Sequence, residues 1–150
     1  MGTNRRLFLQ GGLALGLLLS WPARLLAAAW PEAAFRQKGI ADALRELYGT
    51  SDVTPSADVT LKAPEIAQDG RVVPVTVDTT LGGVESISIF VEKNPVPLVA
   101  TFEIAPGVTP SVETRIKMGQ TSTVMAVVKT SSGLFSVTKD VKVTIGGCGG

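Results

Sequence analysis

Two periodicities divide the chain. Between residues 31 and 48, Ile40, Leu44 and Leu47 fall at i, i+4 and i+7, and Phe35 and Tyr48 widen the apolar stripe. Pro31 suits a first helical turn, where its missing N–H costs nothing, Glu32 complements the positive helix start, and Gly49 is a C-terminal stop. The spacing predicts one amphipathic helix over 31–48, inside an N-terminal helical segment of residues 30–50. Gly39 weakens its middle by about 1 kcal/mol relative to alanine. So short a helix needs a surface to dock on, either its own β domain or a partner, and the residues leave both open.

From Val59 onward the period is two. Val59, Leu61 and Ala63 alternate with polar residues, as do Val73, Val75 and Val77 after an Asp69-Gly70 turn. Val84 to Val91 is more continuously apolar. Leu98, Ala100, Phe102 and Ile104 share one face, and Val112, Thr114, Ile116 and Met118 oppose Glu113, Arg115 and Lys117. Thr123 to Val128 is apolar on both faces, as a central strand is. Phe135, Val137, Val141, Val143 and Ile145 line one side of a last strand, with Lys139 out of pattern. These make about seven strands, punctuated by Gly82-Gly83, Asn94-Pro95, Pro106-Gly107, Gly119 and Ser132-Gly133, with no helix between them. The pattern predicts a mainly β chain: an immunoglobulin-like antiparallel β-sandwich over residues 51–145, preceded by one N-terminal helix.

The segment before the helix is of another kind. Asn4-Arg5-Arg6-Leu7-Phe8-Leu9-Gln10 is a twin-arginine motif, followed by the apolar stretch Gly11 to Leu19 and the small-residue site Ala27-Ala28-Ala29. That order describes a cleaved export signal over residues 1–29, with Arg5 and Arg6 as its recognition pair. The apolar run is too short for a span of about 20 residues, and Pro22 and Arg24 interrupt its continuation. The expected location is the periplasm, reached by the twin-arginine pathway, with no membrane attachment after cleavage. Losing residues 1–29 removes Arg5, Arg6 and Arg24 and no acid, leaving 11 basic against 13 acidic residues, a net −2. The mature chain therefore has no basic stripe and no phosphate-cradling loop, and nothing in it points to nucleic acid.

The chemistry is narrowed by what is missing. The chain has no histidine, which removes His-dependent triads and dyads, and one cysteine, which forms neither an intramolecular disulfide nor a structural zinc site. No cofactor or metal is expected, and the chain is read as a non-catalytic protein. That cysteine, Cys148, stands among Gly146, Gly147, Gly149 and Gly150, directly after the last predicted strand. Glycine permits nearly every backbone conformation and offers nothing to pack, so residues 146–150 read as a flexible arm presenting a thiol. Fully extended, three residues beyond Ile145 reach about 10 Å. An unperturbed thiol, with pKa about 8.5, is only about 3% ionised at pH 7, and the tail holds no cation. Activation would come from whatever receives the arm.

A twin-arginine signal, a short helix, a β-sandwich and a terminal Gly-Gly-Cys-Gly-Gly together resemble the SoxY family, the sulfur-carrier subunits of bacterial thiosulfate oxidation. The resemblance implies that Cys148 is the covalent attachment site for sulfur intermediates and that Gly146, Gly147, Gly149 and Gly150 form a swinging carrier arm. It also implies partners: a SoxZ-like subunit in a heterodimer, a SoxAX-like haem enzyme that couples thiosulfate to the thiol, a SoxB-like hydrolase that releases sulfate, and in some organisms a sulfur dehydrogenase. The alternative is an exported structural subunit that uses Cys148 for a permanent intermolecular disulfide. A ubiquitin-like carrier charged on its terminal glycine fits poorly, because such charging needs ATP and that fold needs a helix between its strands.

Overall fold

The computed structural model describes residues 30–145. Its N-terminal segment is helical in two pieces rather than one. Ala34–Arg36 forms a 3-10 turn, closed at its start by the Ala34 N–H donating to the Pro31 carbonyl at 3.1 Å. The α-helix proper, α1, spans Ile40–Tyr48. Gly39, expected to weaken a continuous helix, instead breaks it. It sits in extended backbone (φ −122°, ψ 144°) and serves as the N-cap of α1, after Gln37 has already turned extended. The far end matches expectation: Gly49 adopts φ 77° and its N–H donates to the Arg45 carbonyl at 2.9 Å.

Nine strands then build two sheets, an immunoglobulin-like sandwich. They are β1 (Thr54–Pro55), β2 (Val59–Lys62), β3 (Ile66–Asp69), β4 (Val73–Thr79), β5 (Val84–Val91), β6 (Leu98–Glu103), β7 (Ser111–Ile116), β8 (Ser122–Thr130) and β9 (Gly133–Ile145). The large sheet runs β1-β9-β8-β5-β6, with β3 also on β9; the small sheet runs β2-β4-β7. Seven of the nine are the strands that alternation predicts. The two additions, β1 and β3, are short edge pieces that pair with β9 in parallel, so the sandwich is not wholly antiparallel.

The core lies between the sheets. Val59, Leu61, Val73, Val75, Val77, Val112, Ile116 and Met118 on the small-sheet side meet Ile87, Ile89, Val91, Val124, Ala126, Val128 and Val141 of the large sheet. The large sheet is covered on its other face too. There Ala34, Ala43 and Leu44 pack on Phe90, Leu98, Val127 and Leu134, with Phe35, Ile40, Leu47 and Tyr48 around them. The helix stripe therefore covers its own sandwich. This double cover is why β8 is apolar on both faces and β5 is buried on both: Ile87 and Ile89 look to the core, and Ser86, Ser88 and Phe90 to the helix side. A register shift between Ile89 and Phe90 also sends Leu98 to the helix side while Phe102 and Ile104 stay with the core, so β6 does not keep the single face its alternation suggests.

The polar atoms of this helix-facing layer are matched. The Tyr48 hydroxyl lies 2.6 Å from Ser88 Oγ and 3.1 Å from Ser86 Oγ, and Ser88 donates to Thr101 Oγ1 at 2.8 Å. Lys139 also finds its explanation. β1 covers β9 at Phe135–Ser136 and β3 covers it from Lys142 onward, so Lys139 lies on a stretch of strand edge between them and stays half-exposed.

Candidate functional site

Cys148, Gly146, Gly147, Gly149 and Gly150, together with Arg5 and Arg6, lie outside the described residues. The described residues do include the point from which 146–150 continue. β9 is the longest strand, and its two halves are held differently. From Gly133 to Val141 it pairs antiparallel with β8, ending where Val141 meets Ser122. Past that point β3 takes over in parallel, matching Ile66 to Lys142, Ala67 to Val143 and Asp69 to Ile145.

Backbone bonds secure this last stretch. The Lys142 N–H donates to the Glu65 carbonyl at 2.9 Å, and the Gly70 N–H donates to the Ile145 carbonyl at 2.8 Å. Side chains add to them. Thr144 Oγ1 donates to the Gln68 carbonyl at 2.8 Å, and on the opposite edge Thr121 Oγ1 accepts from the Val143 N–H at 2.9 Å. Gly70 has a second role, since its carbonyl accepts from the Met118 N–H at 2.7 Å. The Asp69-Gly70 turn thus ties β9 of the large sheet to the end of β7 in the small one. Ile145 is bonded into the body of the domain.

The surface here is part charged, part apolar. Arg71 folds back on Asp69, donating from Nε at 3.0 Å to both carboxylate oxygens and from Nη2 at 2.7 Å to Oδ2, while its own N–H reaches Oδ1 at 2.8 Å. Those bonds from the Arg71 side chain, then its backbone N–H, hold the Asp69 carboxyl below the usual carboxylate range, and the Asp69 partner raises Arg71. So the pairing brings a cation near the strand end that linear distance does not show, already committed to a carboxylate. Lys142, one of the two lysines nearest the tail in sequence, is exposed on this stretch. Three large apolar side chains of these segments, Ile66, Val72 and Ile145, are 58%, 54% and 66% exposed.

Elsewhere the described residues offer little that is reactive. No group of three or more His, Cys, Asp or Glu side chains among them is arranged to hold a metal ion. No helix among them is long and apolar enough to cross a membrane. A surface depression of about 560 Å³ is lined by Pro74, Glu113, Thr114 and Arg115, and one of about 320 Å³ by residues including Leu81, Val84, Pro106 and Val108. Sequence reasoning misses the anchoring groups Thr121, Thr144, Gly70 and Arg71; only the Asp69-Gly70 turn signal hints at them.

Comparison with known proteins places these features. The family described as sulfur oxidation protein SoxY matches residues 44–148, a stretch that ends on Cys148. Among solved structures, the sulfur carrier protein SoxY from Chlorobium limicola f thiosulfatophilum is similar with a TM-score of 0.63 and 39% sequence identity, covering 69% of this chain and 94% of that one. A superoxide reductase (neelaredoxin) from Ignicoccus hospitalis has a TM-score of 0.52 at 20% identity, covering 57% of this chain and 78% of that one, a likeness of fold alone. No curated protein matches.

Proposed function

The chain belongs to the SoxY family of sulfur oxidation proteins, and on that premise we propose that it is a covalent sulfur carrier in periplasmic thiosulfate oxidation, loaded on the thiol of Cys148. The observation that carries this reading is the coincidence of two signals at one residue. The family match runs to residue 148, and that residue is the chain's only cysteine, set among glycines. The anchored end of β9 supports it, because the chain is bonded into the domain up to Ile145, directly before the segment that carries Cys148. In this reading Arg5 and Arg6 direct export and residues 1–29 are removed.

Loading joins the Cys148 sulfur to the sulfane sulfur of thiosulfate. An S–S bond forms, the thiol proton is released, and two electrons leave for a SoxAX-like haem enzyme. The product is a cysteine S-thiosulfonate. A SoxB-like hydrolase then adds water across the terminal sulfur–sulfonate bond, releasing sulfate and leaving a persulfide on Cys148. A sulfur dehydrogenase, where present, oxidises the sulfur that remains. The carrier itself holds and presents, with a SoxZ-like subunit as its heterodimer partner. Since the thiol lies at most about 10 Å beyond Ile145, each receiving enzyme must approach the strand end closely. Exposed Ile66, Val72 and Ile145 give it apolar surface to meet.

Intact mass spectrometry of the mature protein from thiosulfate-grown cells, before and after reductant, tests the reading. Reductant-labile additions on the C-terminal peptide, in steps of sulfur or thiosulfonate mass, are expected, and Cys148→Ser is expected to remove them and the thiosulfate-dependent electron release while leaving the fold intact. A single uniform disulfide partner with no sulfur ladder, or full activity of Cys148→Ser, overturns it.

A further inference from the structure

The sequence holds a single Asp-Gly pair, Asp69-Gly70, and no Asn-Gly pair. Asp-Gly is chemically fragile. Glycine brings no side chain into the way of its own nitrogen, so that nitrogen can close on the preceding carboxyl carbon and form a five-membered succinimide. The step joins Gly70 N to Asp69 Cγ; the amide proton and the hydroxyl of the neutral carboxylic acid leave together as water. Water then reopens the ring at either carbonyl. One opening restores aspartate, and the other leaves isoaspartate, with the main chain running through the β-carbon. No redox partner is involved, so the folded chain itself sets how fast this happens.

Each requirement of the step is opposed here. Gly70 is buried, and its N–H is held by the Ile145 carbonyl at 2.8 Å. Four bonds converge on the Asp69 carboxylate, all from Arg71: the backbone N–H and Nε to Oδ1, and Nε and Nη2 to Oδ2, at 2.7–3.0 Å. They engage both oxygens and turn the group toward residue 71. They also favour its ionised form, the Arg71 side chain first and its N–H second, and a carboxylate has no hydroxyl to expel as water. The Arg71 side chain is itself 68% exposed, so its place is set by this pairing rather than by packing.

We propose that Asp69-Gly70 is a latent isoaspartate site built into the tether of β9, and that Arg71 is the positioning residue that keeps it closed. The location gives the modification its consequence. Isoaspartate inserts one further main-chain atom, about 1.5 Å of backbone, between Asp69 and Gly70. The Gly70 N–H holds Ile145 and its carbonyl holds the Met118 N–H, so an added atom displaces at least one of these bonds and loosens the end of β9. Where Cys148 carries sulfur, as proposed above, an aged chain then presents its thiol from a slackened base. The chemistry at Asp69 stands independently of that reading.

The test ages the mature chain carrying Cys148→Ser in neutral buffer at about 37 °C, below the usual melting range of such domains. Isoaspartate is read by methyl transfer from a labelled donor with an isoaspartyl carboxyl methyltransferase, and by chromatography of the proteolytic peptide that holds residues 69–70. The folded chain should isomerise about ten-fold or more slowly than a free peptide of residues 63–74. Arg71→Ala should speed the folded chain about three- to ten-fold, the scale of an exposed but doubly bonded ion pair, and Arg71→Lys, which keeps the cation without the fork, should fall between. Asp69→Glu should remove the signal, since its ring would have six members. In the aged chain the Gly70 and Met118 amides should exchange faster than in the fresh one. A folded chain that isomerises as fast as the peptide, or an Arg71→Ala rate equal to the parent's, overturns the proposal. An Arg71→Ala increase matched by equally faster exchange of the Gly70 amide assigns the protection to the sheet bond and overturns the role of Arg71. Unchanged exchange after ageing refutes the loosening of β9. None of these readouts depends on sulfur loading, so failure of the carrier reading registers separately, in the mass spectra of Cys148.

Discussion

Truncating Leu44 to alanine tests whether the helix is part of the domain or merely lies near it. Leu44 is 2% exposed, wedged with Ala34 and Ala43 against Phe90, Leu98, Val127 and Leu134. Removing its branched end forfeits the transfer energy of the lost methyl groups and opens a gap beneath α1. Leu→Ala in protein interiors costs roughly 2–5 kcal/mol, according to how far the site closes. One helix on an open sheet face closes more readily than a core filled from both sides, which sets the expectation at about 2–3 kcal/mol. With a urea dependence of about 1.5–2 kcal/mol per molar, the unfolding midpoint should fall by about 1–2 M. The assay is equilibrium urea unfolding followed by fluorescence and circular dichroism, with Leu47→Ala as a half-buried comparison expected to cost about 1 kcal/mol. A midpoint shift under about 0.3 M for Leu44→Ala, or equal shifts for the two variants, would refute docking of the helix on its own sheet.

Tyr48→Phe removes a hydroxyl bonded to Ser88 and Ser86 while Ser88 keeps Thr101; a loss of about 1 kcal/mol in the same unfolding assay is expected, and none would mean the layer is not closed in solution. Asp69 and Asp78 are held below the usual carboxylate range, Asp69 chiefly by the Arg71 side chain and Asp78 chiefly by Lys62, then Ser111. A depressed folded pKa contributes stability that is present above the unfolded value of about 3.9 and is lost as pH falls through the folded value. The double variant Asp69→Asn, Asp78→Asn should therefore lose less of its stability on acidification below about pH 4 than the parent, and an identical acid limb would contradict the assignment. Gly147→Val should slow loading or sulfate release in a reconstituted carrier assay, because a β-branched side chain must enter the cleft with the thiol; unchanged rates with several partner enzymes would mean slimness there is unimportant.

The strands that alternate cleanly are the legible ones. Period alone puts Val73, Val75 and Val77 on the core face, and all three are buried. Val84–Val91 and Thr123–Val128 read as strands, but what lies on their second face does not, since an apolar residue looks the same under a helix as under a sheet. The helix break at Gly39 is half-visible. Glycine signals weakness, and whether it bends or caps depends on Gln37 turning extended before it. β3 leaves no signal, with Ile66 exposed, Ala67 buried and Pro64 close by, and its partner strand is far along the chain: Thr144 bonds to Gln68 across 76 residues. Local pattern does not carry pairing at that distance.

Chemistry and placement are therefore legible from different sources. Cys148 stands out in the sequence because its neighbours are glycines, whereas the residues that fix where the arm starts look like ordinary surface. On the proposed carrier reading, those residues set the geometry a receiving enzyme must meet. Were Lys142–Ile145 free of β3 and Thr121, four more residues would join the extended reach, adding about 13 Å and more than doubling the distance at which the thiol could be taken up. The bonds from Gly70, Thr121 and Thr144 hold that stretch in the sheet. On the proposed carrier reading, a reach that short makes contact with the strand end a requirement, and the surface around Ile145 becomes the place where receiving enzymes are told apart.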